Sequence, residues 1–143
     1  MERNYAFEEL QKTVIILSLP AAEQIHAMGG GYVGDEMAID YHTYFTDNRV
    51  QLLEDGLLTE AQVVALEELG RAFPSNKVMD VDFWLDQGRL FSDPQWDLIR
   101  EKAMIACSEM GLANARLQVN IEQGEVDDRG LQWMRIQTSI ENG

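Results

Sequence analysis

The sequence predicts a mainly α fold, a compact bundle of about five helices followed by a C-terminal β-hairpin. Apolar residues recur at three-and-four spacing from Phe7 to Met110, and capping residues, prolines and glycines bracket each such stretch. Beyond Gly111 the pattern changes to alternation. A chain of 143 residues is expected to form one domain over 1–143, helical over 4–110 with a hairpin over 112–141. At that length roughly 68–70% of the unfolded surface is buried on folding, so no disulfide framework is needed.

Asn4 is placed to cap a first helix through Leu17, with Phe7, Leu10, Val14 and Leu17 on one apolar face. Ser18, two residues before Pro20, is expected to cap a short second helix that Gly29-Gly30-Gly31 ends near Met28. Asp35 is expected to open a longer helix that carries Met37, Tyr41, Phe45 and Leu52 inward and stops at Gly56. Thr59 and Gln62 have the spacing of a capping box. They start a helix with Val63, Leu66, Leu69 and Phe73 buried, ended by Pro74 and paired with its predecessor as an antiparallel hairpin.

Ser75-Asn76-Lys77 reads as a loop, and Asp80 as the cap of a helix that turns Val81, Trp84 and Phe91 inward, weakened at its far end by Gly88. Ser92-Asp93-Pro94 is the clearest helix start and Gly111 an equally clear stop, with Trp96, Ile99, Ala103 and Met110 facing the core between them. Leu117, Val119 and Ile121 alternate as in a strand, and Leu131 to Ile140 is rich in β-compatible residues. Residues 124–130 suit the turn between them. The fourfold spacing of Ala113, Leu117 and Ile121 leaves a helix open for 113–121. No internal repeat is recognised by this reading.

Charge separates the function classes. A net charge of −14 repels phosphates, so nucleic acid is not an expected partner, whereas basic proteins are drawn to such a field. Cys107 is the only cysteine, which rules out an internal disulfide and suits a reducing compartment. The N-terminal residues lack the pattern of a signal peptide, and Val14-Ile15-Ile16-Leu17 is far short of the ~20 apolar residues that a bilayer span needs. A cytoplasmic location with no membrane partner is the expectation.

Several constellations invite chemistry and are weighed against plainer roles. Gly29, Gly31 and Gly34 match a dinucleotide-binding spacing, but a helix precedes them, and Asp35 and Glu36 stand where phosphate would sit. They read as a loop, and no cofactor is expected. Glu23 and His26 are spaced as on one face of a metal-binding helix, and Asp40 and His42 could complete such a site, which makes a helical metalloprotein or metal-dependent enzyme the alternative reading. With only two histidines and an inward-facing Cys107, no nucleophilic triad stands out, and the chain is not expected to be an enzyme. Asp80, Asp82 and Asp86 near Trp84 extend the acidic surface or cap their helix, and Asp127 and Asp128 lack the further oxygen ligands of a calcium loop.

The most informative feature is a second face of the helix opened by Asp35. Glu36, Asp40, Tyr44 and Asp47 fall there at helical steps, with Glu54 and Asp55 nearby and Arg49 the only base in the region. A tyrosine among carboxylates suits a basic protein surface, since the ring supplies contact area and the acids supply attraction. In composition, size and acidic helical surface the chain resembles bacterial immunity proteins that neutralise basic toxins, a likeness that rests on no motif. The resemblance implies an inhibitor that covers a basic partner by charge-steered occlusion. A homo-oligomeric structural protein joined through Trp84, Trp96 and Trp133 is a third reading.

Overall fold

The computed structural model describes residues 3–74 and 80–142, as eight α-helices and one two-stranded sheet. In chain order the helices are α1 (Arg3–Ser18), α2 (Ala21–Met28), α3 (Val33–Tyr41), α4 (Arg49–Glu54), α5 (Glu60–Ala72), α6 (Val81–Leu85), α7 (Gln87–Ser92) and α8 (Pro94–Glu109). A π-helical turn, His42–Thr46, joins α3 to α4. The sheet pairs β1 (Ala115–Val126) antiparallel with β2 (Gln132–Asn142). The fold is mainly α with a small C-terminal β part, as the change of periodicity after Gly111 indicates.

Helix α1 is the central post. Ala6, Leu10, Val14 and Leu17 are fully buried at three-and-four steps, and α8 lies along it through Ile99, Ala103 and Ala106. Helix α5 packs chiefly on α8 rather than on α4, so the hairpin expected between neighbouring helices is only a minor contact. One apolar cluster runs without a break from Leu10 to Leu112. Its aromatic end stacks Phe83 on Trp96 with centroids 4.8 Å apart, and Phe73 and Trp84 close around them. The Trp96 indole donates to the Phe83 carbonyl, which leaves its one polar atom satisfied in an apolar site. Gly34 belongs to this packing, since a Cβ there would stand 2.8 Å from the Trp96 ring.

Buried Gln24 ties three elements together. Its amide donates to the Ile16 and Leu17 carbonyls at the C-terminal end of α1, and its oxygen accepts from the Arg100 guanidinium of α8. These bonds satisfy carbonyls that a helix end leaves without partners.

The start and stop signals are well matched. Thr59 and Gln62 form the reciprocal capping box, Asp80 and Asp93 accept first-turn amides, and Gly29, Gly56 and Gly111 adopt left-handed conformations at helix ends. Ser18 is not a cap; its hydroxyl donates to the Ile15 carbonyl, and Pro20 takes the N-cap position of α2. Helix α1 already includes Arg3, so Asn4 sits within it rather than ahead of it. The Asn4 side chain and the loop expected at Ser75-Asn76-Lys77 lie outside the described residues.

Two expected helices are each split. The one assigned to Asp35 begins at Val33 and gives way at His42, where Thr43 and Thr46 are poor helix formers and Asn48 donates its side-chain amide to the Thr43 carbonyl. The helix opened by Asp80 breaks at Asp86, which is extended and caps α7 by accepting from the Gly88 amide. That break resets the helical phase of the residues after it. Phe83 and Leu90 are buried, while Val81 and Phe91 are exposed, contrary to the single-helix reading.

Residues 115–121 are strand, which removes the helix left open for 113–121. The register explains why. Arg116-Leu117-Gln118-Val119-Asn120-Ile121-Glu122 and Arg135-Ile136-Gln137-Thr138-Ser139-Ile140-Glu141 repeat one pattern, so antiparallel pairing sets Arg116 opposite Glu141, Glu122 opposite Arg135, and Leu117 and Ile121 opposite Ile140 and Ile136. This short repeat corrects the reading that none is present. A bulge after Gln123 bends β1, whereas β2 runs unbroken.

Candidate functional site

The acidic face begins on α3 and is completed by α1. Asp40 is half-buried, and its carboxyl is pushed up to about 6 by burial first, then by the charges of Glu36 on α3 and Glu9 on α1. Tyr44, in the π-helical turn, packs edge-on against Tyr5 of α1 at 6.3 Å and 78°. Burial and a hydrogen bond with Tyr5 push its hydroxyl up to about 12, so the Tyr44 phenol is neutral near pH 7. Glu36, Asp40 and Tyr44 therefore share one neighbourhood, roofed on the α1 side by Tyr5 and Glu9.

The rest of the expected ridge is not drawn into this cluster. The π-helical turn takes up an extra residue and rotates everything after it, so Asp47 sits exposed in the turn that follows rather than in step with Asp40. Glu54 and Asp55 are exposed at the far end of α4, where Asp55 accepts from the Gln51 amide. Arg49 turns instead to Glu67 of α5, at 3.3 Å. Among the described residues no ion pair holds Glu36, Asp40, Asp47 or Glu54, and Glu9 alone of the cluster meets a base, Lys12 at 3.2 Å.

Tyr5 and Glu9 were missed by the sequence reading. They lie four residues apart on α1, beside rather than within its apolar stripe, and only the packing of α1 on α3 reveals them. No local pattern could have singled them out.

The residues of the metal reading lie on different parts of the fold. Glu23 and His26 border a groove between α2 and β1, His42 meets the Thr46 hydroxyl at 3.2 Å, and Asp40 lies with Glu36 and Glu9. Among the described residues, no group of three or more His, Cys, Asp or Glu side chains is arranged to hold a metal ion. Cys107 is buried and its thiol is pushed up to about 11 by that burial, so little reactive thiolate exists near neutral pH.

The other acidic groups serve the fold. Asp80 caps α6 and grips Arg89, which also holds Asp93, the cap of α8; the Arg89 hydrogen bond keeps the Asp80 carboxyl below its usual range. Asp86 caps α7, and Asp127 accepts the Arg129 and Leu131 amides in the hairpin turn, beside exposed Asp128. Gly29, Gly30 and Gly31 take left-handed turns and Gly34 packs on Trp96, so the glycine spacing answers to geometry and core packing. Trp84 and Trp96 are buried and offer no contact surface, and the Trp133 side chain lies outside the described residues. No described helix is long and apolar enough to cross a membrane.

Comparison of the chain with protein-family models, with curated proteins and with solved structures returned no match, so any functional reading rests on the residues themselves.

Proposed function

We propose that this protein is a binding module for a basic protein partner, engaged at the Asp40–Tyr44 cluster, and that it acts as an immunity-type inhibitor does, by covering a basic toxin. The observation that carries the reading is the state of Asp40. At neutral pH its carboxylate is ionised against burial and against two neighbouring carboxylates, with no ion-paired base among the described residues. A free protein gains nothing from such an arrangement. A lysine or arginine from a partner would relieve it, and the Tyr5–Tyr44 pair supplies a firm apolar edge for the contact.

Steering comes from the whole field and anchoring from this cluster. A net charge of −14 speeds encounter with a cationic surface, and the ring edges and half-buried carboxylate then fix where it docks. The test is capture from the cell of origin at low ionic strength on parallel columns of the wild type and the Glu36→Gln/Asp40→Asn variant. A basic protein held by the wild type, released by salt and lost from the variant column supports the proposal. Equal retention on both columns removes the cluster as the interface.

A further inference from the structure

Helices α5 and α8 run antiparallel. The Gln62 side-chain amide donates to the Glu109 carbonyl at one end of the pair, and the Gln95 side-chain amide donates to the Ala72 carbonyl at the other. With the ends fixed in this way, Val64 stands level with Ile105 and, one turn on, Glu68 stands level with Lys102. A groove of about 400 Å³ runs between the two helices on their outer side, lined by Ala61, Val64, Glu68, Lys102 and Ile105 among others. Val64 is 58% exposed and Ile105 48%. Leu98, 37% exposed, continues the stripe along α8, since Leu98, Lys102 and Ile105 recur at steps of four and three. Apolar side chains therefore meet water along both walls, and a second surface laid on them would exclude it.

Charge limits what that surface can be. The α5 wall is acidic at Glu68, and the α8 wall is basic at Lys102. Lys102 meets no acid in an ion pair among the described residues. Glu68 holds Arg71 one turn along its own helix, an exposed pair of a kind that contributes little and competes weakly with a new partner. A uniformly basic surface is opposed by Lys102 and a uniformly acidic one by Glu68. A surface that carries one of each, in reversed order across the groove, satisfies both. The same face of another copy has that property. A half-turn about an axis along the groove lays α5 of one copy on α8 of the other at the same level, so that Val64 meets Ile105 and Glu68 meets Lys102, each twice.

We propose that two copies of this chain pair through the α5–α8 face as a four-helix arrangement about that axis, with Glu68 of each copy on Lys102 of the other. The pairing goes beyond the basic-partner reading and does not depend on it, because none of the groove residues belongs to the Asp40–Tyr44 cluster. A face two helices wide and about 20 Å long is small for a specific interface. Two chains of charge −14 also repel one another. The dimer is therefore a weak one, with a dissociation constant on the order of tens of micromolar. Salt screens the repulsion, so it strengthens this association, whereas it weakens attraction to a basic partner.

The test is sedimentation equilibrium of the intact chain over about a hundredfold range of concentration around that constant, at low and high salt. The wild type is expected to pass from monomer to dimer, more readily at high salt. Ile105→Asp, Glu68→Lys and Lys102→Glu are each expected to weaken the dimer about tenfold or more. An equal mixture of the Glu68→Lys and Lys102→Glu chains is expected to recover it, because opposite signs then face each other in both contacts between unlike chains. That recovery also shows both variants to be folded, and it separates a contact between copies from one within a chain, which mixing cannot restore. A wild type that stays monomeric over the whole range overturns the proposal. So does a dimer that Ile105→Asp leaves intact, since it uses another face, and so does a mixture that fails to recover, since Glu68 and Lys102 then do not meet across the axis.

Discussion

Two groups of carboxylates on this molecule, built from the same residue types, behave in opposite ways. Asp80 and Asp93 converge on Arg89 and cap α6 and α8, and the Arg89 hydrogen bond holds the Asp80 carboxyl below its usual range. Asp40, with Glu36 and Glu9, is pressed towards its protonated form. The first group stabilises the fold at neutral pH, and the second is carried against it. Acidic composition alone therefore says little about role. What separates the two is whether the fold pairs the carboxylate with a cation, and among the described residues Asp40 and Glu36 have none in an ion pair, which is where a partner has most to offer.

The sharpest way to break the comparison is at Asp93. Replacing it with Ala removes the cap of α8 and one of the two anions on Arg89, and is expected to cost about 1–2 kcal/mol, read as a lower midpoint in urea. The opposite sign is expected at Asp40. A carboxyl whose folded pKa of about 6 exceeds its ordinary value favours the folded state below that ordinary value and loses this contribution as pH rises through 6. Asp40→Asn should therefore stabilise the protein at pH 7. The full shift corresponds to about 3 kcal/mol, and screening at a half-exposed group reduces the expected gain to about 1 kcal/mol. Thermal melting of both proteins at pH 7 and pH 4 checks this. A gain of the same size at both values would mean that Asp40 is not strained by its charge.

The same contrast shows what could be read from the chain and what could not. Caps and stops are local, so Thr59 with Gln62, Asp93 before Pro94, and the glycines at 29, 56 and 111 marked their helix ends reliably. The alternation of Leu117, Val119 and Ile121 likewise separated the hairpin from the helices. Phase was lost wherever a helix was interrupted. Beyond the break at Asp86, Leu90 rather than Phe91 enters the core, and the π-helical turn carried Asp47 away from Asp40, because one slipped residue rotates a whole face. Glu36, Asp40 and Tyr44 fall within or just beyond one helix and were recognised together. Tyr5 and Glu9 reach them across a tertiary contact, which leaves no mark on sequence spacing.

The smallest effect sharpens the cause rather than the sign. Burial is the larger influence on Asp40 and the charge of Glu36 the second, so Glu36→Gln should lower the Asp40 pKa only part of the way from about 6 towards its ordinary 3.8. Glu36 is exposed, so its removal should change stability at pH 7 by only a few tenths of a kcal/mol. A carbon-detected titration of the Asp40 carboxyl reads the shift directly. If Asp40 in this variant titrates at its ordinary value, repulsion rather than burial dominates, and a partner need only bring charge. If it stays clearly above, water exclusion by Tyr44 and its neighbours is what holds it, and a bound cation must be fitted into that half-closed setting, which is a demand on shape as well as on sign.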